Sequence, residues 1–172
     1  QIGARLQSLK RGQTGYLVVQ DVDSFKKIND TNRHLFGDAV LCSFADELSN
    51  IFPEALKGRI GGDEFVFYVE DMDREQLEEK LKQLNRCMSD RYDDDKTGLH
   101  ISCSLGAAVT DGTVTDYNLL FQWADAALYQ VKSKGKGAYY LLDVKEGVAL
   151  PGKSYLDSEE NKEDENSVSK VR

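Results

Sequence analysis

Residues 59–69 read Arg59-Ile-Gly-Gly-Asp-Glu-Phe-Val-Phe-Tyr-Val69, and this stretch decides the fold. It consists of two strand-like runs that are separated by Gly61-Gly62. A glycine pair suits the positive backbone angles of a tight two-residue hairpin, because glycine has no Cβ that would clash there. We therefore predict a β-hairpin with two acids, Asp63 and Glu64, at its tip.

A second pair of acids follows a buried strand earlier in the chain. The apolar run Tyr16-Leu-Val-Val19 leads into Asp21-Val-Asp23, which predicts a strand that delivers carboxylates to its C-terminal end. If this strand is a neighbour of the hairpin, three or four acids converge. Hard divalent cations such as magnesium prefer oxygen ligands and leave room for phosphate oxygens. Such a cluster would suit two-metal phosphoryl or nucleotidyl transfer.

The remaining apolar pattern gives the order of the other elements. Apolar residues at helical spacing predict helices within 38–52, 77–88 and 119–131, and further strands are predicted over 99–109 and 138–142. The whole order is α-β-α-α-β-β-α-β-α-β, in which a hairpin follows helices instead of alternating with them. This order favours an α+β fold with a central, mostly antiparallel sheet of about five strands that is flanked by helices.

Length and charge limit the domain count and the class of partner. The chain has 172 residues and a formal net charge of -8, so we expect one domain and no nucleic-acid partner, because the acidic field repels phosphates. The domain is expected over residues 1–143, followed by an acidic and disordered tail or linker over residues 144–172. No apolar run approaches the roughly 20 residues that cross a bilayer, so membrane contact is expected only through domains outside this chain.

The three cysteines indicate the compartment. Cys42, Cys87 and Cys103 are widely spaced and lie in apolar sequence, which is typical of buried thiols and not of a disulfide framework or a metal site. We therefore expect a cytoplasmic domain, even where the parent protein is anchored in a membrane.

Two basic segments interrupt the acidic chain. Lys26 follows directly after the first acids, where backbone amides and its ammonium group would suit a triphosphate beside metal ions. Lys132, Lys134 and Lys136 alternate with serine and glycine at the end of the last helix. The expected partner of both segments is phosphate.

Each of these signals is weak by itself. An Asp-x-Asp after a strand is most often a solvated loop or a helix cap, a glycine pair is often only a turn, and a lysine cluster is often a solvated helix end. A calcium-binding loop does not fit, because Phe25 and Lys26 occupy positions where a ligand and a glycine belong. The residues alone leave the convergence of the acids open.

The combination of motifs resembles the GGDEF family of diguanylate cyclases. The matching segments follow in the family's order and spacing: Asp21-Val-Asp-Ser-Phe-Lys-Lys-Ile-Asn-Asp30, His34, Gly37-Asp38, Arg59-Ile-Gly-Gly-Asp-Glu-Phe65 and Ala124–Lys136. The resemblance covers about residues 1–143. It implies a fold related to polymerase palms and to class III nucleotide cyclases.

The resemblance also implies an activity, a cofactor and a partner. Members of this family condense two GTP molecules into cyclic di-GMP and release two pyrophosphates. Each domain holds one GTP, so a second copy of the domain is needed and a homodimer is expected. The cofactor would be magnesium, or manganese in its place. Its ligands would be Asp21, the backbone carbonyl of Val22, Asp63 and Glu64.

The phosphate-binding residues follow from motif position. Lys26, with the backbone of Ser24 and Phe25, would hold the β and γ phosphates, and it is one of two expected catalytic residues. Lys132 and Lys136 would reach the phosphates from the last helix.

The other nucleotide contacts follow in the same way. Asp63 is the second expected catalytic residue, because it is the family's candidate for deprotonating the ribose 3′-hydroxyl. Asn29 and Asp38 would read the guanine edge, since a carboxylate accepts from N1 and N2 donors that adenine lacks. Gly62 would let the nucleotide approach the hairpin, and His34 lies near the nucleotide in the family pattern without an assigned role.

Three departures from the family pattern bear on activity. Arg33 stands before His34 where the family usually has glycine, so weakened activity is expected. Lys136 replaces the usual arginine and keeps the charge without the bidentate geometry. Phe52-Pro-Glu-Ala55 stands where many members carry an Arg-x-x-Asp product-inhibition motif, so feedback through that site is expected to be absent.

Two other functions compete with an active cyclase. The first is a catalytically weak or inactive module that binds GTP and regulates a neighbour, although Asp21, Lys26, Asp63 and Glu64 are all present and argue against it. The second is a phosphatase with Asp21 as nucleophile and Asp23 as acid, which would leave the glycine hairpin unexplained.

Overall fold

The computed structural model describes residues 1–32, 34–93, 99–150 and 168–170. The elements follow in the order α1 Ile2–Gln7, β1 Gly15–Val22, α2 Phe25–Asn32, α3 His34–Ile51, β2 Leu56–Arg59, β3 Glu64–Glu70, α4 Arg74–Tyr92, β4 Cys103–Thr110, α5 Tyr117–Ser133, β5 Ala138–Val144 and β6 Val168–Lys170. The predicted order of helices and strands is confirmed from α1 to β5.

The sheet is mixed and mostly antiparallel, as the sequence predicted. Its strands lie in the order β2-β3-β1-β4-β5, and β6 adds to the outer edge of β5. Among the strands of the described residues, β4 and β5 are the one parallel pair. Strand β1 lies between β3 and β4, with Asp21 directly opposite Glu64 on one side and Ser104 on the other.

The two faces of the sheet bury separate apolar layers because side chains alternate along each strand. Tyr16 and Val18 belong to the layer that packs against α3 and α4, whereas Leu17 and Val19 pack against α1 and α5. All eight residues of β1 are buried, which explains its nearly continuous apolar sequence. The strand therefore lies at the centre of the domain.

A close contact with β4 fixes the position of α5. A Cβ atom at Gly106 would lie 2.2 Å from the backbone oxygen of Ala124 and from the backbone nitrogen of Leu128. The missing side chain lets the helix backbone lie directly on the strand. Lys132 lies one helical turn beyond Leu128, so this contact carries its ammonium group to the end of β1.

The hairpin between β2 and β3 differs from the prediction. Residues 60–63 form a four-residue connection, and neither Gly61 nor Gly62 has a positive φ. The Arg59 side chain accounts for this geometry, because its Nε donates to the carbonyl oxygens of Gly61 at 3.2 Å and Gly62 at 3.1 Å. The expectation of a two-residue turn with positive backbone angles was wrong.

The cysteines are not all buried, contrary to the prediction. Cys103 in β4 is buried, Cys87 is partly exposed, and Cys42 is exposed. The apolar surroundings in sequence misled the prediction, because positions 42 and 87 lie on amphipathic helices whose other faces meet the core.

The division into a domain and a tail stays a prediction. Of residues 144–172, the structure describes 144–150 and 168–170, and the others lie outside the described residues. Val168–Lys170 pair with β5 as an edge strand. Backbone groups at a sheet edge accept a partner whatever its side chains. Within the described residues, no helix has both the length and the apolar character that crossing a membrane requires.

Candidate active site

Three segments meet at one end of the sheet: the end of β1, the hairpin loop of residues 60–63, and the end of α5. Asp21 is directly opposite Glu64 in the β1–β3 ladder, and the N–H of Val22 donates to the carbonyl of Asp63 at 3.3 Å. The two predicted carboxylate pairs therefore lie on adjacent strands. The sequence could not decide this point, because it depends on which strands pair.

The Asp21 carboxylate is nearly buried and already has a cationic partner. Its side chain is 12% exposed, and Lys132 Nζ lies 2.7 Å from Asp21 Oδ2. Burial raises the pKa of Asp21, the ion pair with Lys132 opposes that rise, and the nearby charges of Asp63 and Asp23 add to it. The net pKa is raised, as expected where like charges share a partly desolvated site. The cluster therefore favours a bound cation.

The donor set fits a hard divalent metal ion. Asp21 and Glu64 are opposite each other in the β1–β3 ladder and the charge of Asp63 acts on Asp21, so three acidic residues occur at this end of the sheet, and carboxylates are the ligands that magnesium prefers. Among the residues that the structure describes, no three His, Cys, Asp or Glu side chains lie together in a group that would hold a metal by itself. The coordination would have to be completed by a backbone carbonyl, water or phosphate oxygens, as is usual for magnesium beside a nucleotide.

Asp23 does not join this cluster. Its carboxylate accepts hydrogen bonds from the hydroxyls of Ser102 and Ser104 and from the backbone of Gly137. This hydrogen bonding leaves Asp23 unavailable to a metal ion at this end of the sheet. It also leaves no free carboxylate at position 23 for the acid of a phosphatase.

The predicted phosphate contacts lie at the start of α2 and the end of α5. Helix α2 begins at Phe25, and Ser24 precedes it with a left-handed φ of 58°. Lys26 is exposed in the first turn, and Lys136 Nζ donates to Ser24 Oγ at 3.2 Å. Free backbone N–H groups and a positive dipole end make a helix N-terminus favourable for anions. Backbone and side-chain donors from two helices thus face the same space.

The predicted guanine contacts lie on α2 and α3, which pack closely together. A Cβ at Gly37 would lie 1.9 Å from Asn29 Oδ1, so only glycine at this position leaves room for the amide. That oxygen is buried and has no hydrogen-bond partner among the described residues. Asp38 follows Gly37 and is exposed, as is His34 at the start of α3. An unpaired buried oxygen beside an exposed carboxylate suits a ligand that brings N–H donors.

A comparison with models of known protein families identifies the family of this chain. The family model described as "Diguanylate cyclase, GGDEF domain" matches residues 1–138. The chain belongs to the GGDEF family of diguanylate cyclases.

Individual relatives agree with this assignment. The probable diguanylate cyclase DgcT of Escherichia coli (strain K12) is 31% identical over 144 residues, covering 81% of this chain and 32% of DgcT. The cyclic di-GMP phosphodiesterase PdeR of the same strain is 30% identical over 124 residues, covering 72% of this chain and 19% of PdeR. This GGDEF domain therefore spans less than a third of the length of either relative.

A solved structure shows the same fold. The active GGEEF domain of a diguanylate cyclase from Vibrio cholerae superposes with a TM-score of 0.69 at 25% identity, covering 84% of this chain and 90% of that chain. The agreement extends over most of both chains, so the α+β fold of this GGDEF domain is that of the family.

Several residues that shape the site had no role in the sequence analysis: Gly37, Arg59, Ser102, Ser104, Gly106 and Gly137. Ser104 pairs with Asp21 in the β1–β4 ladder, and Ser102 lies two residues before it, just ahead of β4. A spacing of two places both side chains on the same side of an extended chain. That signal was present in the sequence. The role of Gly106 was not, because it depends on where α5 packs.

The hairpin glycine Gly62 differs from the glycines that the fold requires. A Cβ added at Gly62 would meet nothing within 4 Å, and the residue is exposed. Neither packing nor backbone angle explains a glycine there. Its predicted role toward the nucleotide stays a prediction, and Arg33, the predicted cause of weak activity, lies outside the described residues.

Proposed function

We propose that this GGDEF domain condenses two GTP molecules into cyclic di-GMP and releases two pyrophosphates. One observation carries the proposal: Asp21 and Glu64 are directly opposite on adjacent strands, and Lys132 reaches the same point from α5. Carboxylates for metal ions and lysines for phosphates are the groups that nucleotidyl transfer needs.

Magnesium or manganese is the proposed cofactor. Asp21, the carbonyl of Val22, Asp63 and Glu64 would hold it, and its charge would offset that of the phosphates. GGDEF-family diguanylate cyclases generally use magnesium. The raised pKa of Asp21 supports the same site, because a carboxylate cluster that is costly to ionise gains most from a cation.

The chain's own residues then move one proton and hold two phosphates. Asp63 accepts the proton of the ribose 3′-hydroxyl, and the oxygen forms a bond to the α-phosphorus of the GTP on the partner domain. The bond between that phosphorus and the α–β bridging oxygen breaks, and pyrophosphate leaves. Lys26, Lys132 and Lys136 stabilise the negative charge that collects on the leaving group. Two such transfers close the ring.

Guanine selectivity would come from α2 and α3. The exposed Asp38 carboxylate accepts from N1–H and N2–H of guanine, which adenine cannot offer. Asn29, whose Oδ1 has no partner among the described residues, would be the second contact once its side chain turns from Gly37 toward the base. ATP should therefore bind far more weakly than GTP.

The proposed reaction requires a homodimer and places the domain in the cytoplasm. Each site holds one GTP, so the attacking hydroxyl and the attacked phosphorus belong to different copies. GTP is an intracellular nucleotide, which fits the cytoplasmic location expected from the cysteines.

Product analysis with a site variant tests the activity. The full chain is incubated with GTP and Mg²⁺, and the products are resolved by mass, with cyclic di-GMP and pyrophosphate expected. Asp63→Ala should lower turnover by about 1000-fold or more, equivalent to roughly 4 kcal/mol, with an unchanged melting temperature. Asp143→Ala, which removes an exposed carboxylate from β5, is the matched control and should retain activity. Full turnover in Asp63→Ala would refute the metal-site assignment.

An inactive GTP-binding regulatory module is the second candidate. It is favoured by two observations: Arg33 occupies the family's usual glycine position, and one relative is named as a phosphodiesterase. Tight GTP binding without turnover, in a sample shown to be dimeric by light scattering, would establish this function in place of the first.

We also propose that the domain lacks the common form of product inhibition. In place of an Arg-x-x-Asp motif, Phe52 is buried against Phe67, with ring centroids 5.0 Å apart. No arginine or aspartate occurs in residues 52–55 to hold a guanine or a phosphate. Initial rates should therefore stay constant when cyclic di-GMP is added in excess, and a marked fall would contradict the proposal.

A further inference from the structure

Both carboxylate oxygens of Asp23 are occupied by donors from other elements. The residue is 6% exposed. Its Oδ1 accepts from Ser104 Oγ at 2.7 Å, and its Oδ2 accepts from Ser102 Oγ at 2.6 Å and from the backbone N–H of Gly137 at 2.9 Å. Its own N–H donates to the carbonyl of Ser102 at 2.9 Å. A buried carboxylate with three donors is held firmly in place and is not a free ligand.

These hydrogen bonds join three parts of the site. Asp23 follows β1, Ser102 precedes β4, Ser104 lies at the start of β4, and Gly137 lies between α5 and β5. We call residues 132–137 the basic segment, because it carries three lysines, of which Lys132 and Lys136 are predicted to contact the phosphates. Through Gly137, Asp23 links the basic segment to the end of the strand that carries Asp21.

Two strained residues flank this link. Ser24 follows Asp23 with a φ of 58°, and Lys136 precedes Gly137 with a φ of 64°. Both are in the left-handed region, which non-glycine residues seldom occupy and which persists only where surrounding contacts enforce it. Lys136 Nζ also donates to Ser24 Oγ at 3.2 Å. The Asp23 hydrogen bonds supply contacts next to both strained positions.

We propose that Asp23 is a positioning residue that clamps the basic segment to the end of β1. It presents Ser24 and Lys136 together to the triphosphate, and it touches neither the nucleotide nor the metal. The inference rests on the proposed function and deepens it. The proposal distinguishes the phosphate end of the substrate from its base, because the side-chain hydrogen bonds of Asp23 involve none of the predicted guanine contacts on α2 and α3.

Two nucleotides distinguish this role from a merely structural one. Binding of α,β-methylene-GTP, whose α–β bridge is not cleaved, and of GMP, which lacks the β and γ phosphates, is measured calorimetrically on the full chain with Mg²⁺. Asp23→Ala should lower the affinity for α,β-methylene-GTP by about tenfold or more, which is the size expected for losing charge-assisted hydrogen bonds. The affinity for GMP should not change. The affinity of Asp23→Asn for α,β-methylene-GTP should lie between those of the wild type and Asp23→Ala, since the asparagine Oδ1 can still accept from Gly137 and its NH₂ can face a serine hydroxyl.

Asp111→Ala is the matched control. Asp111 accepts from Thr113 N at 3.0 Å and from Thr113 Oγ1 at 2.6 Å just past the opposite end of β4, so neither affinity should change. The clamp would be overturned if Asp23→Ala lowered the affinities for α,β-methylene-GTP and GMP equally, or if it left the affinity for α,β-methylene-GTP unchanged. If Asp23→Ala does not fold, Asp23→Asn with the same two nucleotides decides between these outcomes.

A measurement without nucleotide keeps the clamp separate from the proposed function. Amide hydrogen exchange at Gly137 should be faster in Asp23→Ala than in the wild type, because that N–H loses the closer of its two acceptors and keeps only Ser104 Oγ at 3.2 Å. Unchanged protection would overturn the clamp. Failure of the wild type to bind either nucleotide would instead overturn the proposed function, even where the Gly137 amide responds as expected.

Discussion

Gly106 and Gly62 have different surroundings, and the contrast separates two regions of the molecule. A Cβ at Gly106 would lie 2.2 Å from the backbone of α5, whereas a Cβ at Gly62 would meet nothing within 4 Å. We call β1 and β4 the sheet centre, and the hairpin loop with the basic segment the sheet end. The fold itself requires the glycine at the centre, but only a ligand can require the one at the end.

Gly106→Ala should have the largest effect on stability. The added methyl group would overlap with backbone atoms of Ala124 and Leu128, which cannot move without shifting α5. The expected loss in the free energy of unfolding is about 3 kcal/mol, at the upper end for overpacking. Gly58→Ala is the control, since its Cβ would meet only Val66 Cγ1 at 3.8 Å. Denaturant unfolding measures both variants, and equal stabilities would show that α5 is not held by this contact.

Gln20→Met should stabilise the sheet centre. Gln20 lies in β1 opposite Phe65 and Leu105, is 0% exposed, and has no hydrogen-bond partner for either amide atom among the described residues. Replacing an unsatisfied buried amide by an apolar side chain of similar shape should raise the free energy of unfolding by about 2 kcal/mol. Val18→Met in the same strand is the comparison, because it enlarges a side chain without removing a polar group. A lower melting temperature for Gln20→Met would mean that the amide is satisfied in solution.

The order of the helices and strands was predictable from the sequence, because burial leaves a different apolar pattern in each kind of element. The apolar run before Asp21 and the helical spacing of residues such as Leu77 and Leu81 gave the elements in their true order. The hairpin geometry was not predictable. It depends on Arg59, which reaches past the strand end to bind two carbonyls, and glycine by itself permits several turn types.

The sheet end was predictable only in part. The motif pattern gave the residue types, but the pairing of Asp21 with Glu64 depends on strand order, which one sequence does not supply. The ion pair between Asp21 and Lys132 depends in addition on how α5 packs. Asp23 shows the same limit, since an Asp-x-Asp motif does not tell which carboxylate is engaged by a neighbouring strand.

Gly62→Ala should leave stability unchanged and weaken nucleotide binding. Because the position is open, we expect a change in the free energy of unfolding within about 0.5 kcal/mol. If GTP approaches the hairpin as proposed, the methyl group should lower GTP affinity by about tenfold, or roughly 1.4 kcal/mol. Calorimetric titration with α,β-methylene-GTP measures the affinity, and Gly58→Ala again serves as control. Unchanged affinity would remove Gly62 from the nucleotide site.

Lys132→Met should strengthen metal binding to the nucleotide-free protein, although it removes a residue of the site. Lys132 Nζ lies 2.7 Å from Asp21 Oδ2, so a cation that binds Asp21 in the free protein must displace this ammonium group. Without it, Mn²⁺ should bind the nucleotide-free protein about fivefold more tightly, or roughly 1 kcal/mol, as followed by electron paramagnetic resonance. GTP should bind more weakly, because the lysine is then missing from the phosphates. Lys134→Met, in the same basic segment and exposed, is the matched control for net charge. Weaker Mn²⁺ binding in Lys132→Met would show instead that the lysine holds Asp21 in the orientation that the metal needs.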